Sequence, residues 1–158
     1  MATIIETLVM EHVVFRALLD EIEGVLSDLN SIQEVSLLST VVEGVLRQHA
    51  ETETDLAYAA LDHVLAEKGE LDRLYQDHRE IDHNFERVHG ASNLAEAQRL
   101  LKKALAASRE HFRHEEQAVF PLLERALPSE TLIDLGESWL REYRPLAPVE
   151  NRPGAMPG

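Results

Sequence analysis

Between Leu94 and Leu122 an apolar stripe recurs at alternating steps of three and four: Leu94, Ala97, Leu101, Ala104, Ser108, His111, Glu115, Ala118 and Leu122. That spacing predicts an amphipathic helix, yet its buried seam runs through a histidine and a glutamate. Ionisable groups are not left unpartnered in a core; they are hydrogen-bonded, paired or coordinated to a metal. The same interruption stands upstream in Leu38, Val42, Val45, His49, Glu53, Leu56 and Ala60. In Ile5, Leu8, His12, Phe15, Leu19, Ile22 and Leu26, His12 is the one position without a large hydrophobe. A fourth stripe, Leu71, Tyr75, His78, Ile81 or Asp82, Phe85 and Val88, carries His78.

The boundaries of these stripes are marked locally. Thr3-Ile-Ile-Glu6 and Ser31-Ile-Gln-Glu34 are capping boxes that launch the first two helices, and Asn93 with Glu96 caps the fourth. Lys68-Gly69 is expected to close the second helix, Gly90 the third, and Pro121 to bend the last turns of the fourth. Pro128-Ser129 begins a short fifth helix that holds Trp139. Strand signals are absent, so the expected fold is all-α, an up-down-up-down four-helix bundle over residues 1–143. A disordered Pro/Gly-rich tail is expected over 144–158.

An internal repeat sharpens this. With His12 set against His78, Phe15 aligns with Ile81, Leu19 with Phe85, Ile22 with Val88, Gly24 with Gly90, and the preceding acid Glu11 with Asp77. His49 and Glu53 match His111 and Glu115 at an offset of 62 residues. Helices one and two are thus a rough copy of three and four, and a two-fold bundle brings both His-plus-Glu sets together.

Composition narrows the chemistry. With no cysteine among 158 residues, disulfides, iron–sulfur clusters and zinc–thiolate sites are excluded, so any metal is held by nitrogen and oxygen. Lys+Arg number 15 against 29 Asp+Glu, and the net charge of -14 speaks against nucleic-acid and membrane-surface partners. The opening residues lack the pattern of a secretory leader and no long apolar run occurs, so a cytoplasmic protein, a monomer or weak homo-oligomer, is expected. Residues four apart lie about 40° apart around a helix, so each histidine and its glutamate point into one layer. Four imidazoles and two carboxylates there suit two ions of iron, manganese or zinc, with both carboxylates shared and an oxo or hydroxo bridge between the ions. An open position would take a small ligand such as oxygen or peroxide.

From about residue 4 to 127 the chain resembles the hemerythrin-like proteins of the HHE cation-binding family. The motifs are Glu11-His12-x-x-Phe-Arg, His49-x-x-x-Glu53, Asp77-His78-Arg-Glu-Ile and His111-x-x-x-Glu115-Glu116-x-x-x-Phe-Pro121. The resemblance implies a non-haem di-iron centre, Fe-O-Fe, with His12 and His49 on one iron, His78 and His111 on the other, and Glu53 and Glu115 bridging. It also implies a small-molecule ligand: oxygen, peroxide or nitric oxide. Two departures bear on function. Asp82 stands where the oxygen carriers have a further histidine, and their last carboxylate corresponds to Glu116, not Glu115. The His-x-x-x-Glu spacing instead resembles members with four histidines and two glutamates, some associated with iron sensing or peroxide turnover. Decomposition of peroxide and a sensing or storage role without turnover are the two functions expected. His63, His83, His89 and His114 fall outside the ligand layer, and Tyr75 is expected as a core aromatic.

Overall fold

A computed structural model of the chain describes residues 1–64 and 69–142. The elements are α1 (Ile4–Val25), a 3-10 turn (Leu26–Asp28), α2 (Ile32–Glu53), a π turn (Thr54–Tyr58), α3 (Ala59–Val64) and α4 (Gly69–His89). They continue with α5 (Leu94–His114), a second π turn (Glu115–Val119), α6 (Phe120–Ala126) and α7 (Ser129–Glu142). Every element among the described residues is helical. The expected tail lies outside them. Gly69, expected to close the second helix, is instead the first residue of α4.

The caps form as the sequence specifies. Thr3 Oγ1 accepts from the Glu6 amide at 3.2 Å and Glu6 accepts from the Thr3 amide at 2.9 Å. Ser31 and Glu34 repeat this at 3.3 and 3.1 Å, and Asn93 Oδ1 accepts from the Glu96 amide at 2.9 Å. Each cap satisfies amides that an α-helix leaves free, which is worth about 1 kcal/mol.

Two hydrophobic clusters form the interior. One gathers Phe15, Leu19, Ile22, Val42, Phe85 and Leu101 with their neighbours. The other gathers Ile4, Leu8, Tyr58, Leu74, Phe120 and Trp139 with theirs. Each fully buried aliphatic side chain contributes about 1.5–3 kcal/mol. On every long helix the residues between the two clusters are the polar ones: His12, then His49 and Glu53, His78, and His111 with Glu115. The ionisable layer is therefore sealed above and below by apolar packing.

The two π turns displace the core by one position. Beyond Glu53 the buried residues are Ala57, Tyr58 and Leu61, not the expected Leu56 and Ala60. Beyond Glu115 they are Val119, Phe120 and Leu123, not Ala118 and Leu122. A π turn spreads its hydrogen bonds to i→i+5 and delays the stripe by one residue. Pro121, which lacks an amide N–H, stands two residues after the second π turn, but the first has no proline near it. What the two share is a buried glutamate at their start.

Helix α7 packs along α1 by backbone approach. A Cβ at Gly136 would stand against the Ala2 carbonyl oxygen, 2.8 Å from Thr3 C and 2.9 Å from Ile4 N. Gly136→Ala is therefore expected to lower stability by about 1–3 kcal/mol, as overpacking does. A thermal melt should fall by several degrees; an unchanged melt would show that α7 does not dock there. Among the described residues no helix is long and apolar enough to cross a membrane.

Candidate metal centre

The polar layer draws one histidine from each of α1, α2, α4 and α5. His12 Nε2 lies 3.2 Å from His49 Nε2, and His78 Nε2 lies 2.8 Å from His111 Nε2. Glu115 reaches both pairs, with Oε1 3.2 Å from His111 Nε2 and Oε2 3.3 Å from His12 Nε2. Glu53 Oε2 is 3.9 Å from both His49 Nε2 and His78 Nε2. The six side chains thus fall into two groups, His12 with His49 and His78 with His111, each including both glutamates, with ligand atoms within 4.8 Å of one another. Asp82 belongs to neither group, and Ile81 is the residue turned into the core.

Carboxylates stand behind the imidazoles. Glu11 Oε2 accepts from His49 Nδ1 at 2.8 Å, and Glu116 Oε1 accepts from His12 Nδ1 at 3.0 Å and from Arg16 at 2.7 Å. Asp77 Oδ2 is 3.8 Å from His111 Nδ1 and 3.2 Å from His114 Nδ1. Glu11 and Asp77, equivalent in the repeat, therefore each stand behind the second histidine of their own half, Glu11 in hydrogen-bond contact and Asp77 at ion-pair distance only. Sequence reasoning missed four aromatic contributors. Tyr58 Oη is within hydrogen-bond reach of Glu53 Oε2 at 3.2 Å and of Glu115, to either of which its one proton can be donated, and its ring stacks on His78 at 5.7 Å. Phe120 stacks on His12 at 5.5 Å, and Phe112 at 4.3 Å. Trp139 donates to Glu11 Oε1 at 3.2 Å. An available signal was the offset of 62, which pairs Tyr58 with Phe120, each an aromatic five residues after its glutamate.

Charge in the layer follows from burial and proximity. Burial pulls His12 and His78 down to about 4, so both are neutral at pH 7. Burial also opposes the charge on His111, but Glu115 and Asp77 outweigh it and hold this histidine up at about 9. Burial likewise pushes Glu115 upward, yet the adjacent His111 holds it well below the usual carboxylate range. Glu53, fully buried beside that negative charge, is pushed well above the usual range and keeps its proton. Tyr58 is raised by burial and by both carboxylates, so it donates without ionising.

This donor set fits metal ions. With the Nδ1 protons of His12 and His49 given to carboxylates, the two Nε2 lone pairs face one another at 3.2 Å, an arrangement that a cation between them relieves. Two donors at right angles on one ion with bonds of about 2.1 Å lie about 3 Å apart, which matches both histidine pairs. Glu53 Oε1 and Glu115 Oε2 are buried and have no hydrogen-bond partner. A cavity of about 380 Å³ opens onto His49, His78 and His111, with Arg47, Asp55 and Asp82 at its exposed rim.

The remaining histidines stand apart from the layer. His63 is exposed, His83 is exposed 3.6 Å from Glu86, and His89 lies between Ser36 and Glu43. His114 contacts Asp77 from outside the two groups. Tyr75 packs against the second core cluster, edge-on to Tyr58 at 5.8 Å.

Comparison with curated proteins and with solved structures returned no match. The family comparison did: the hemerythrin HHE cation binding domain matches residues 3–123, from the cap of α1 into α6 and short of α7. That span supplies all six residues of the buried layer, and the chain belongs to this cation-binding family.

Proposed function

We propose that the protein holds two iron ions in this layer and decomposes hydrogen peroxide, two molecules giving dioxygen and two of water. The observation that carries the proposal is a buried layer of paired imidazoles and shared carboxylates with a cavity opening onto its His49, His78 and His111 side. His12 and His49 would hold one ion and His78 and His111 the other, with Glu53 and Glu115 available to both. Such an ion pair supplies two-electron exchange with a peroxide.

The chain's own residues do the rest. Glu11 and Glu116 fix the imidazole tautomers so that Nε2 faces inward. Phe112 and Phe120 close the layer against water beside His12. Tyr58 holds a proton on Oη between the two carboxylates, where it can be donated to an oxygen that gains charge. Asp82 at the rim, in place of a further imidazole, leaves the approach to His78 open. The four carboxylates Glu43, Glu51, Asp55 and Asp82 against Arg47 favour neutral or cationic entrants over anions.

The iron-loaded protein is expected to release oxygen from peroxide in an electrode trace, with His49→Ala at least about tenfold slower. Release no faster than from the variant or from free iron, together with a stable reversible oxygen adduct of the reduced protein, would replace turnover by ligand binding.

A further inference from the structure

We propose that Trp139, on a helix beyond the matched family domain, is a positioning residue for the metal centre. Its indole N–H holds Glu11 so that His49 is fixed with Nε2 turned into the ligand layer. This rests on His49 being a metal ligand, as proposed above.

The contacts form a chain of three. Trp139 Nε1 donates to Glu11 Oε1 at 3.2 Å, and His49 Nδ1 donates to Glu11 Oε2 at 2.8 Å. The indole is 1 % exposed and stands edge-on to His49, ring centres 5.5 Å apart and planes at 70°. The close backbone approach at Gly136, one turn before Trp139, sets the height of α7 on α1 and hence of the indole over Glu11. Glu11 needs such a hold, because an apolar groove between α1 and α7, lined by Met10, Val14 and Leu140, opens onto it.

The identity of the donor matters. An indole N–H can only donate, so it occupies Glu11 Oε1 and leaves Oε2 to accept from His49 Nδ1. In the other half the equivalent acid, Asp77, is met by His114, whose ring nitrogen can donate or accept. Trp139 therefore imposes on the His12/His49 group a tautomer that nothing equivalent imposes on the His78/His111 group. An effect confined to one of the two groups follows.

Trp139→Phe keeps an aromatic ring, though a smaller one, and removes the N–H. In the metal-free protein, the imidazole nitrogens of His49 in a ¹⁵N–¹H correlation spectrum should show the Nδ1–H tautomer in wild type and a mixture in Trp139→Phe. Titrated with zinc against a competing chelator, the variant should lose about tenfold in affinity at one ion and little at the other, the lower end of the cost of losing an outer partner. Glu11→Gln leaves a single acceptor for two donors and should give a similar loss. Adding Trp139→Phe to Glu11→Gln should then cost little more, because both act through one contact; a purely structural tryptophan would give additive losses. An unchanged His49 tautomer in Trp139→Phe, or additive losses, overturns the proposal. If wild type binds no zinc, the assignment of His49 as a ligand fails, while the tautomer spectra still decide for or against Trp139.

Discussion

Glu115→Ala is expected to leave less than one metal ion per chain where wild type holds about two, while Glu116→Ala retains both. The two acids are neighbours in sequence but face opposite sides of His12. Glu115 is fully buried, and its two oxygens reach different histidine pairs, at 3.2 and 3.3 Å. Removing it would take a donor from both of the proposed ions and strand the His111 charge that it stabilises. Glu116 lies behind His12, bound to Nδ1 and to Arg16, so its loss frees an imidazole without removing a donor. Loss of such an outer partner costs about 10–100-fold in affinity, which ample iron overcomes. Metal analysis after iron loading, with circular dichroism to confirm the helices, checks both variants. If Glu116→Ala loses its metal and Glu115→Ala keeps it, the carboxylate pattern is that of the oxygen carriers.

The six residues of the layer were legible in the sequence because each sits where α periodicity demands a hydrophobe. A periodicity argument finds such exceptions as long as the helix keeps its pitch. It failed where the pitch changed. A regular helix turns position 58 away from the layer of Glu53, and the π turn brings Tyr58 back to donate to a residue five positions earlier. Phe120 was missed for the same reason after Glu115. Trp139 was out of reach on other grounds, since its partner Glu11 lies 128 positions away and no local pattern encodes that docking. The acids Glu11 and Asp77 were visible as a repeated pair but not as partners of His49 and His111, because a helical stripe does not reveal contacts between helices.

The two halves also differ in a way that the repeat conceals. Tyr58 and Phe120 occupy equivalent places and stack on His78 and His12, but only Tyr58 carries a hydroxyl to the carboxylates. His111 carries charge while His12 and His78 do not. A nearly symmetric scaffold thus holds an asymmetric proton inventory, concentrated on His111, Glu53 and Tyr58.

That inventory makes the metal-free protein most stable near pH 6.5. Unfolded, His12, His78 and His111 titrate near 6.5, and Glu53 and Glu115 near 4.5. Folded, His12 and His78 stay neutral down to about 4 and His111 stays charged up to about 9. Glu53 keeps its proton well above 4.5 and Glu115 gives its up well below. Between pH 4.5 and 6.5 the unfolded chain holds protons on all three histidines, whereas the native state holds them on His111 and Glu53. Unfolding takes up one proton, and stability falls with acid by about 1.4 kcal/mol per pH unit. Below 4.5 both glutamates of the unfolded chain protonate as well, so the fall steepens. Above 6.5 the unfolded chain holds none of these protons while the native state still holds that of His111, with the raised Glu53 adding to it, so stability falls toward pH 9 by at least about 1.4 kcal/mol per unit. Metal would have to displace these protons before His111 and Glu53 could act as donors. Filling both groups with zinc above pH 6.5 should therefore release at least one proton per chain, and overall affinity should climb at least about tenfold per pH unit. Urea midpoints of the metal-free chain at pH 5, 6.5 and 8.5, beside proton release on zinc addition, measure both. Stability rising steadily from pH 6.5 to 8.5, with no proton released on loading, would mean that His111 and Glu53 do not carry the protons assigned to them.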